Sequence, residues 1–417
     1  MKTSIVIGLG FGDEGKGLVT DYLCKRNRQP WVVRFNGGHQ AGHTVVTAGG
    51  KRHVFSSLGS GSLAGAPTYW SKYCSFYPPG FLEEYKALEQ LGVRPGFYID
   101  AQSPVTTLYD VIYNRSLEQS RNPHGSCGLG FGATIERHEM GCRLVARDLL
   151  SARELKTKLK KTSRYYDKKI KEANNSLLSE IYYGYDVQQI ASRYLHAVNA
   201  CFSLINLVEE GDLMSTLKIS GASLIFEGAQ GILLDMDHGF FPHVTRSYTT
   251  CKNAMEIIRR NRLSAPSLFY VTRSYQTRHG AGPMTNESLI PELQHTEQET
   301  NVQNTWQGSF RRAVLDLDQL QYALSCDYRF CPQAARHLVV TCLDQTGPLF
   351  PATCKGALHH VTPEELVKIV LPEAGSFFTS TSACADHMIE TIRETGPVGI
   401  HHQPANCDWP RSMAERV

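Results

Sequence analysis

The first strand-like run of the chain, Ser4-Ile5-Val6-Ile7, passes directly into Gly8-Leu9-Gly10-Phe11-Gly12-Asp13-Glu14-Gly15-Lys16-Gly17. Gly10, Gly15 and Lys16 fit the spacing G-x-x-x-x-G-K of a phosphate-binding loop. In such a loop backbone N–H groups and the lysine hold phosphate, and a Ser or Thr after the lysine sits on Mg²⁺. Here that position is Gly17, and a carboxylate, Asp13, stands inside the loop. The pattern points to a loop that binds phosphate and also does chemistry.

Further β-branched or aromatic runs recur at Trp31-Val32-Val33-Arg34-Phe35, Leu224-Ile225-Phe226, Ser267-Leu268-Phe269-Tyr270-Val271 and His337-Leu338-Val339-Val340-Thr341. Each is followed by a Gly-rich or polar loop and a helix-compatible stretch. Buried strands alternating with helices predict an α/β fold with a large, mainly parallel central sheet covered by helices on both faces. Ligands bind such sheets outside the carboxyl ends of the strands. Between about 146 and 208, Leu149, Leu150, Leu155 and Leu159 recur at roughly helical spacing among Lys156, Lys158, Lys160 and Lys161, which reads as a helical insertion with a solvated face. No repeat or linker breaks the chain, so residues 1–417 are expected to form one unit.

Composition narrows the function classes. A balance of 43 basic and 40 acidic residues lacks the basic excess of a nucleic-acid binder. No apolar stretch approaches the roughly 20 residues of a membrane helix, and Met1-Lys2-Thr3 leaves no room for a leader before the first strand. The 12 cysteines contain no C-x-x-C and read as reduced thiols of a cytoplasmic protein.

Four more loops carry candidate chemistry. After Arg34-Phe35 comes Asn36-Gly37-Gly38-His39-Gln40-Ala41-Gly42-His43-Thr44, where glycines allow close backbone approach and His43 is placed for proton transfer. Phe226-Glu227-Gly228-Ala229-Gln230-Gly231 sets the Gln230 amide among small residues, where it can read the edge of a base. The following Asp235, Asp237 and His238 suit either a metal site or, preferably, a capped turn. Thr277-Arg278-His279-Gly280-Ala281-Gly282-Pro283 again sets glycines beside polar groups. His124-Gly125-Ser126-Cys127-Gly128-Leu129-Gly130-Phe131-Gly132 reads as a loop whose N–H groups wrap a phosphate.

In their order along the chain, these segments resemble the adenylosuccinate synthetase family, ligases that join IMP to L-aspartate at the expense of GTP. The matching residues are Gly12 to Gly17, Arg34-Phe35 with Gly37 to Thr44, Phe226 to Asp235 with Asp237-His238-Gly239, and Thr277-Arg278 with Gly280 to Pro283. The resemblance implies that GTP phosphorylates the 6-oxygen of IMP and that the aspartate amine then displaces the phosphate. Asp13 would be the general base and, with the Gly42 carbonyl, a ligand of Mg²⁺. His43 would be the acid and Gln230 would orient the purine. Gly12, Glu14, Gly15, Lys16, Gly17 and Thr44 would hold nucleotide phosphate. Gln40, Ala41, Ser126, Cys127 and Thr245 would hold IMP, Ser309 and Arg311 would serve the amino acid and ribose, and Asp344 the base of the triphosphate. The implied partners are small molecules (a purine nucleotide, a nucleoside triphosphate and an amino acid) and a second copy in a homodimer.

The chain also departs from the family pattern. Cys127 replaces a hydroxyl residue. Glu139 stands at the aligned position of an arginine that reaches the partner's IMP phosphate, with Arg137 and Arg143 as substitutes nearby. The amino-acid loop reads Asn304-Thr305-Trp306-Gln307-Gly308-Ser309-Phe310-Arg311-Arg312, with Ser309 in place of an arginine that serves the ribose 2′-hydroxyl. Thr341-Cys342-Leu343-Asp344 keeps the aspartate of a T-K-L-D segment and loses its lysine. The tail, His401-His402-Gln403-Pro404-Ala405-Asn406-Cys407, carries no S-T-G-P. These departures leave GTP or ATP, the amine, and a ribo- or 2′-deoxyribonucleotide acceptor as open alternatives, along with a nucleotide-binding regulator that no longer ligates. Phage relatives that act on dGMP lack the loop aspartate, so Asp13 favours a 6-oxopurine without a 2-amino group.

Overall fold

The computed structural model describes residues 1–120, 125–299, 301, 306 and 308–393. His124, Asn304, Thr305, Gln307 and the 401–407 segment lie outside the described residues.

A ten-stranded sheet forms the centre. Its strands in chain order are β1 (Thr3–Gly8), β2 (Pro30–Arg34), β3 (Thr68–Trp70), β4 (Phe97–Asp100), β5 (Asn206–Val208), β6 (Ser223–Gly231), β7 (Ser267–Arg273), β8 (Ala335–Thr341), β9 (Ser376–Ser380) and β10 (Met388–Ile392). They lie in the order β10-β9-β8-β7-β1-β6-β2-β3-β4-β5. All neighbours are parallel except the edge pair β9 and β10. The expected mainly parallel sheet is therefore present, and each apolar run noted above is one of its strands.

β1 lies at the centre and is buried along its whole length. Its alternation feeds two cores. Ile5 and Ile7 join a cluster with Phe226, Leu268 and Leu338, while Val6 joins Leu18, Val19 and Leu23 of helix α1 (Lys16–Arg26) on the other face. Burial on both faces is what a parallel strand needs to read as a continuous hydrophobic run.

The expected insertion is helical but shorter than its predicted bounds. Leu149 and Leu150 lie in a 3-10 turn, Ala146–Leu150, and Ser151 then caps a new helix by accepting from the Glu154 N–H at 3.2 Å. The cap breaks the leucine periodicity at that point. Beyond α2 (Leu108–Ser120) and α3 (Phe131–Glu139), three helices follow: α4 (Ala152–Ala173), α5 (Ser176–Tyr183) and α6 (Val187–Cys201). They bury Leu155, Tyr166, Ile170, Leu178, Tyr182 and Tyr194 in a third core, while Lys156, Lys160 and Lys161 stay exposed. Residues 206–208 are β5, paired with β4, so the chain has already returned to the sheet where the sequence still suggested insertion.

Candidate active site

The phosphate loop, the loop after β2 and the end of β6 converge at the carboxyl end of the sheet, because β1 lies beside β6 and β6 beside β2. Asp13, Glu14, Gly15, Lys16, Gly17, Gly42, His43 and Thr44 line one cleft of about 300 Å³. Asp344, in the short turn after β8, lines the same cleft together with Cys342 and Gln345. Ser382 and Ala383, which follow β9, complete this side.

Gly17 has a steric cause. A Cβ at this position would lie 2.9 Å from the His43 Cβ and 3.0 Å from the Ser60 Oγ. The hydroxyl residue of an ordinary phosphate loop would collide with the histidine. Gly8 answers to Glu14 in the same way, since a Cβ there would overlap its carboxylate. Glu14 is buried, accepts from the Gly10 N–H and lies 3.8 Å from Lys16. Burial pushes its carboxyl up to about 7 and lowers the Lys16 ammonium.

His43 has a partner that the sequence did not reveal. Its Nδ1 lies 2.7 Å from the Glu227 carboxylate, which also accepts from the Ser60 N–H at 3.1 Å and from the Ser60 hydroxyl. Arg34, fully buried, stands 4.0 Å from the same carboxylate. Burial alone would raise Glu227, but His43, Arg34 and Ser60 outweigh it and hold the carboxyl at about 2. An ionised Glu227 keeps the proton on Nδ1 and fixes the ring, which is how a carboxylate orients a catalytic histidine. Burial lowers the His43 imidazolium itself, with Glu227 opposing. The available clue was an acid closing the apolar run Leu224-Ile225-Phe226.

Asp13 takes a left-handed backbone conformation, φ 58°, uncommon outside glycine but tolerated by Asp. Its carbonyl accepts from Arg273 Nε, and its Oδ2 lies 3.4 Å from His279 Nε2. Gln230, also at positive φ, donates to the Thr245 hydroxyl at 3.0 Å, while its own Oε1 is buried without a partner. Both amide atoms of Gln40 are likewise buried and unpaired, and its neighbour Ala41 is buried. Unsatisfied buried amides cost about 1–3 kcal/mol each and mark where a polar ligand belongs.

Two expected anion holders are already engaged. The N–H groups of Gly125 and Ser126 donate to the Glu118 carboxylate at 3.0 and 3.2 Å. The Ser126 hydroxyl accepts from Asn114 at 2.9 Å, and Cys127 is a thiol that burial pushes up to about 11. A carboxylate of the chain thus takes the N–H groups read as a phosphate wrap. Arg311 is engaged through its terminal nitrogens, while its Nε is buried and unpaired. It pairs with Glu287 and donates to the Gly280 and Gly282 carbonyls, each at 2.8 Å.

Strand Gln276–His279 pairs antiparallel with Phe310–Ala313, with Thr277 opposite Arg312, Arg278 opposite Arg311 and His279 opposite Phe310. Alternation therefore puts Thr277, His279, Phe310 and Arg312 on one face and Arg278 and Arg311 on the other. The first face meets the phosphate loop, since the Thr277 hydroxyl donates to the Gly12 carbonyl at 3.4 Å. Arg312 lies on it with its Nε buried and unpaired and its guanidinium 5.5 Å from the Phe310 ring. Ser309 is exposed.

Elsewhere, Asp235 accepts from the Asp237 and Thr249 N–H groups at 2.9 and 2.6 Å, which is the capped turn. Among the described residues, no group of three or more His, Cys, Asp or Glu gathers as a metal cage. Glu139 pairs with Arg246 of its own chain at 2.6 Å, and Arg137 is buried against Asp110 at 2.8 Å, which removes Arg137 as a substitute across an interface. Arg143 is exposed. No helix among the described residues is long and apolar enough to cross a membrane, and the described cysteines are all unpaired.

A parallel α/β sheet with a phosphate loop, an embedded carboxylate and a histidine–glutamate pair at one cleft defines a protein of the phosphate-loop α/β class. Residues 5–347 match the sequence profile of adenylosuccinate synthetase, and the chain belongs to that family. It is 32% identical over 294 residues to adenylosuccinate synthetase of Teredinibacter turnerae, covering 69% of this chain and 65% of the relative. It is also 32% identical over 296 residues to that of Buchnera aphidicola, covering 69% and 66%. The matched stretch thus spans slightly less than two thirds of each relative's length. The fold matches fully ligated adenylosuccinate synthetase from Plasmodium falciparum with a TM-score of 0.70 at 18% identity, over 94% of this chain and 100% of that one. Cyanophage S-2L succinoaminodeoxyadenylate synthetase, solved with dGMP and dATP, shares the fold with a TM-score of 0.62 at 15% identity, over 94% and 95%.

Proposed function

We propose that the chain is a purine-nucleotide ligase that condenses IMP with L-aspartate, with GTP as phosphoryl donor, through a 6-phosphoryl intermediate. The observation that carries this reading is the convergence of Asp13, Lys16 and the Glu227-oriented His43 on one cleft that ends at Asp344. A 6-oxopurine oxygen is a weak nucleophile until its N1 proton leaves, and Asp13 is the carboxylate that takes it. His43 meets the transferring γ-phosphoryl group, whose negative charge favours the protonated ring. Lys16 and the loop N–H groups stabilise the charge that spreads over the phosphoryl oxygens. The amine then attacks C6 and phosphate leaves. Gln230 offers the purine its unpaired Oε1, and Gln40 both of its amide atoms.

Mg²⁺ suits the donors present, Asp13 carboxylate and Gly42 carbonyl, because a hard cation that keeps waters and phosphate oxygens needs no all-protein cage. When bound it neutralises charge on the phosphates. Arg312, rather than Arg311, holds the carboxylate of the amine donor, since Arg311 is already committed. The reading takes the chain as one cytoplasmic synthetase unit that forms a homodimer, with Arg143 the arginine available to a partner's site.

Phosphate release tests the function. It should require IMP and aspartate together, and release without IMP would contradict a ligase. A second reading, a paralogue taking another amine or a 2′-deoxy acceptor with ATP or GTP, is favoured by exposed Ser309, and Cys342 in the triphosphate cleft keeps ATP open. A non-catalytic regulator fits poorly with an intact His43–Glu227 pair.

A further inference from the structure

His279 lies outside the residues that match the family pattern, yet it is the one hydrogen-bond or ion-pair partner of the Asp13 carboxylate among the described residues, at 3.4 Å. Asp13 is otherwise held only through its backbone, where Arg273 Nε donates to its carbonyl. A base in a left-handed conformation with its main chain pinned still has a freely rotating carboxylate unless something meets it. His279 can meet it because its own ring is fixed. The ring packs at 4.7 Å against Phe310, its cross-strand partner, and its Nδ1 is buried without a protein partner, leaving Nε2 toward Asp13. Phe310 also stands 5.7 Å from the Arg273 guanidinium, so one aromatic side chain braces both residues that hold the base.

We infer that His279 is a positioning residue, braced by Phe310, whose Nε2–H aims the Asp13 carboxylate at the proton to be removed. The inference rests on the proposed ligase reading. Hydrogen bonds at catalytic groups are often long before substrate binds, so the 3.4 Å separation is compatible with closure in the complex. Misaiming a base without removing it lowers the rate of the chemical step and leaves substrate affinity in place.

Steady-state kinetics of His279→Val, His279→Gln and Phe310→Ala, with thermal melts, test this. His279→Val should lose roughly ten- to a hundredfold in kcat with the KM for IMP and the Tm unchanged. His279→Gln, which keeps an N–H donor, should recover most of the rate. Combining His279→Val with Phe310→Ala should cost no more than the larger single change. A His279→Val enzyme with wild-type kcat, a rise in KM alone, or equal losses in Val and Gln variants accompanied by a lower Tm would overturn the inference. A crystal structure provides a readout that needs no turnover: Asp13 should occupy one rotamer in the wild type and a different or mixed set in His279→Val. An unchanged rotamer would also overturn it. Wild-type protein lacking IMP-dependent phosphate release would instead count against the ligase reading, and the rotamer comparison would still decide the role of His279.

Discussion

The loops after β1, β2 and β6 and the strand pair formed by residues 276–279 and 310–313 both meet the phosphate loop but are built differently. Around His43 the polar groups are buried and matched: Glu227 takes His43, Ser60 and the charge of Arg34, and Gly17 leaves room for the histidine. Around the strand pair, Ser309 is exposed, Arg311 is turned to Glu287 and two carbonyls, and the Nε of both Arg311 and Arg312 is buried and unpaired. In the proposed ligase, phosphoryl transfer to a purine oxygen tolerates little change in geometry, which accounts for residues locked into the sheet. In the same proposal, recognition of the amine would rest on a few side chains at a strand pair and could drift by single substitutions.

Asp13→Ala should give the largest effect. Turnover, followed as IMP-dependent phosphate release, should fall by at least about 10³-fold, while calorimetry still detects nucleotide. Retained turnover would remove Asp13 as the base and break the contrast at its root. Glu227→Gln should come next, with kcat down on the order of 10²-fold through misorientation of His43.

Glu227 also makes a stability prediction. Its folded carboxyl lies at about 2 against an ordinary 4.5, so its contribution is complete above 4.5 and is lost as pH falls toward about 2. The difference in unfolding free energy between wild type and Glu227→Gln should therefore be widest near neutral pH, on the order of 3 kcal/mol, and narrow through acid. A gap that widens in acid would contradict an ionised Glu227.

The two arginines sharpen the other side of the comparison. Arg312→Gln should raise the KM for aspartate about tenfold or more by loss of a charge-assisted pair, whereas Arg311→Gln should leave that KM alone and cost about 1–2 kcal/mol of stability. The reverse pattern would mean the strand faces have exchanged roles. The smallest effect is expected of Ser309→Arg, a few-fold tighter binding of ribonucleotide or aspartate. No change in either KM would place residue 309 outside the amino-acid site.

What could be read from the sequence follows the same divide. The strands, the phosphate loop, Asp13, Lys16 and His43 are encoded by short runs of apolar residues and glycines, each legible within ten positions. Glu227 was hidden because its partner is 184 residues away and only the adjacency of β2 and β6 joins them. Glu118 and Glu287 escaped for a related reason, since which cation or N–H an acid engages depends on loops meeting in space. The opposite facing of Arg311 and Arg312 was within reach, because neighbours on a strand alternate, but it needed the pairing register. The place of Ser382 and Ala383 at the cleft depends on β9 lying beside β8, which no local run of residues encodes.

The most direct measurement combines purified protein with IMP, L-aspartate, Mg²⁺ and GTP and follows the absorbance of an N6-substituted purine. The account predicts product that requires all three substrates. Triphosphate hydrolysis that proceeds without IMP, or bound IMP with no ligated product from any amine or triphosphate, would contradict it.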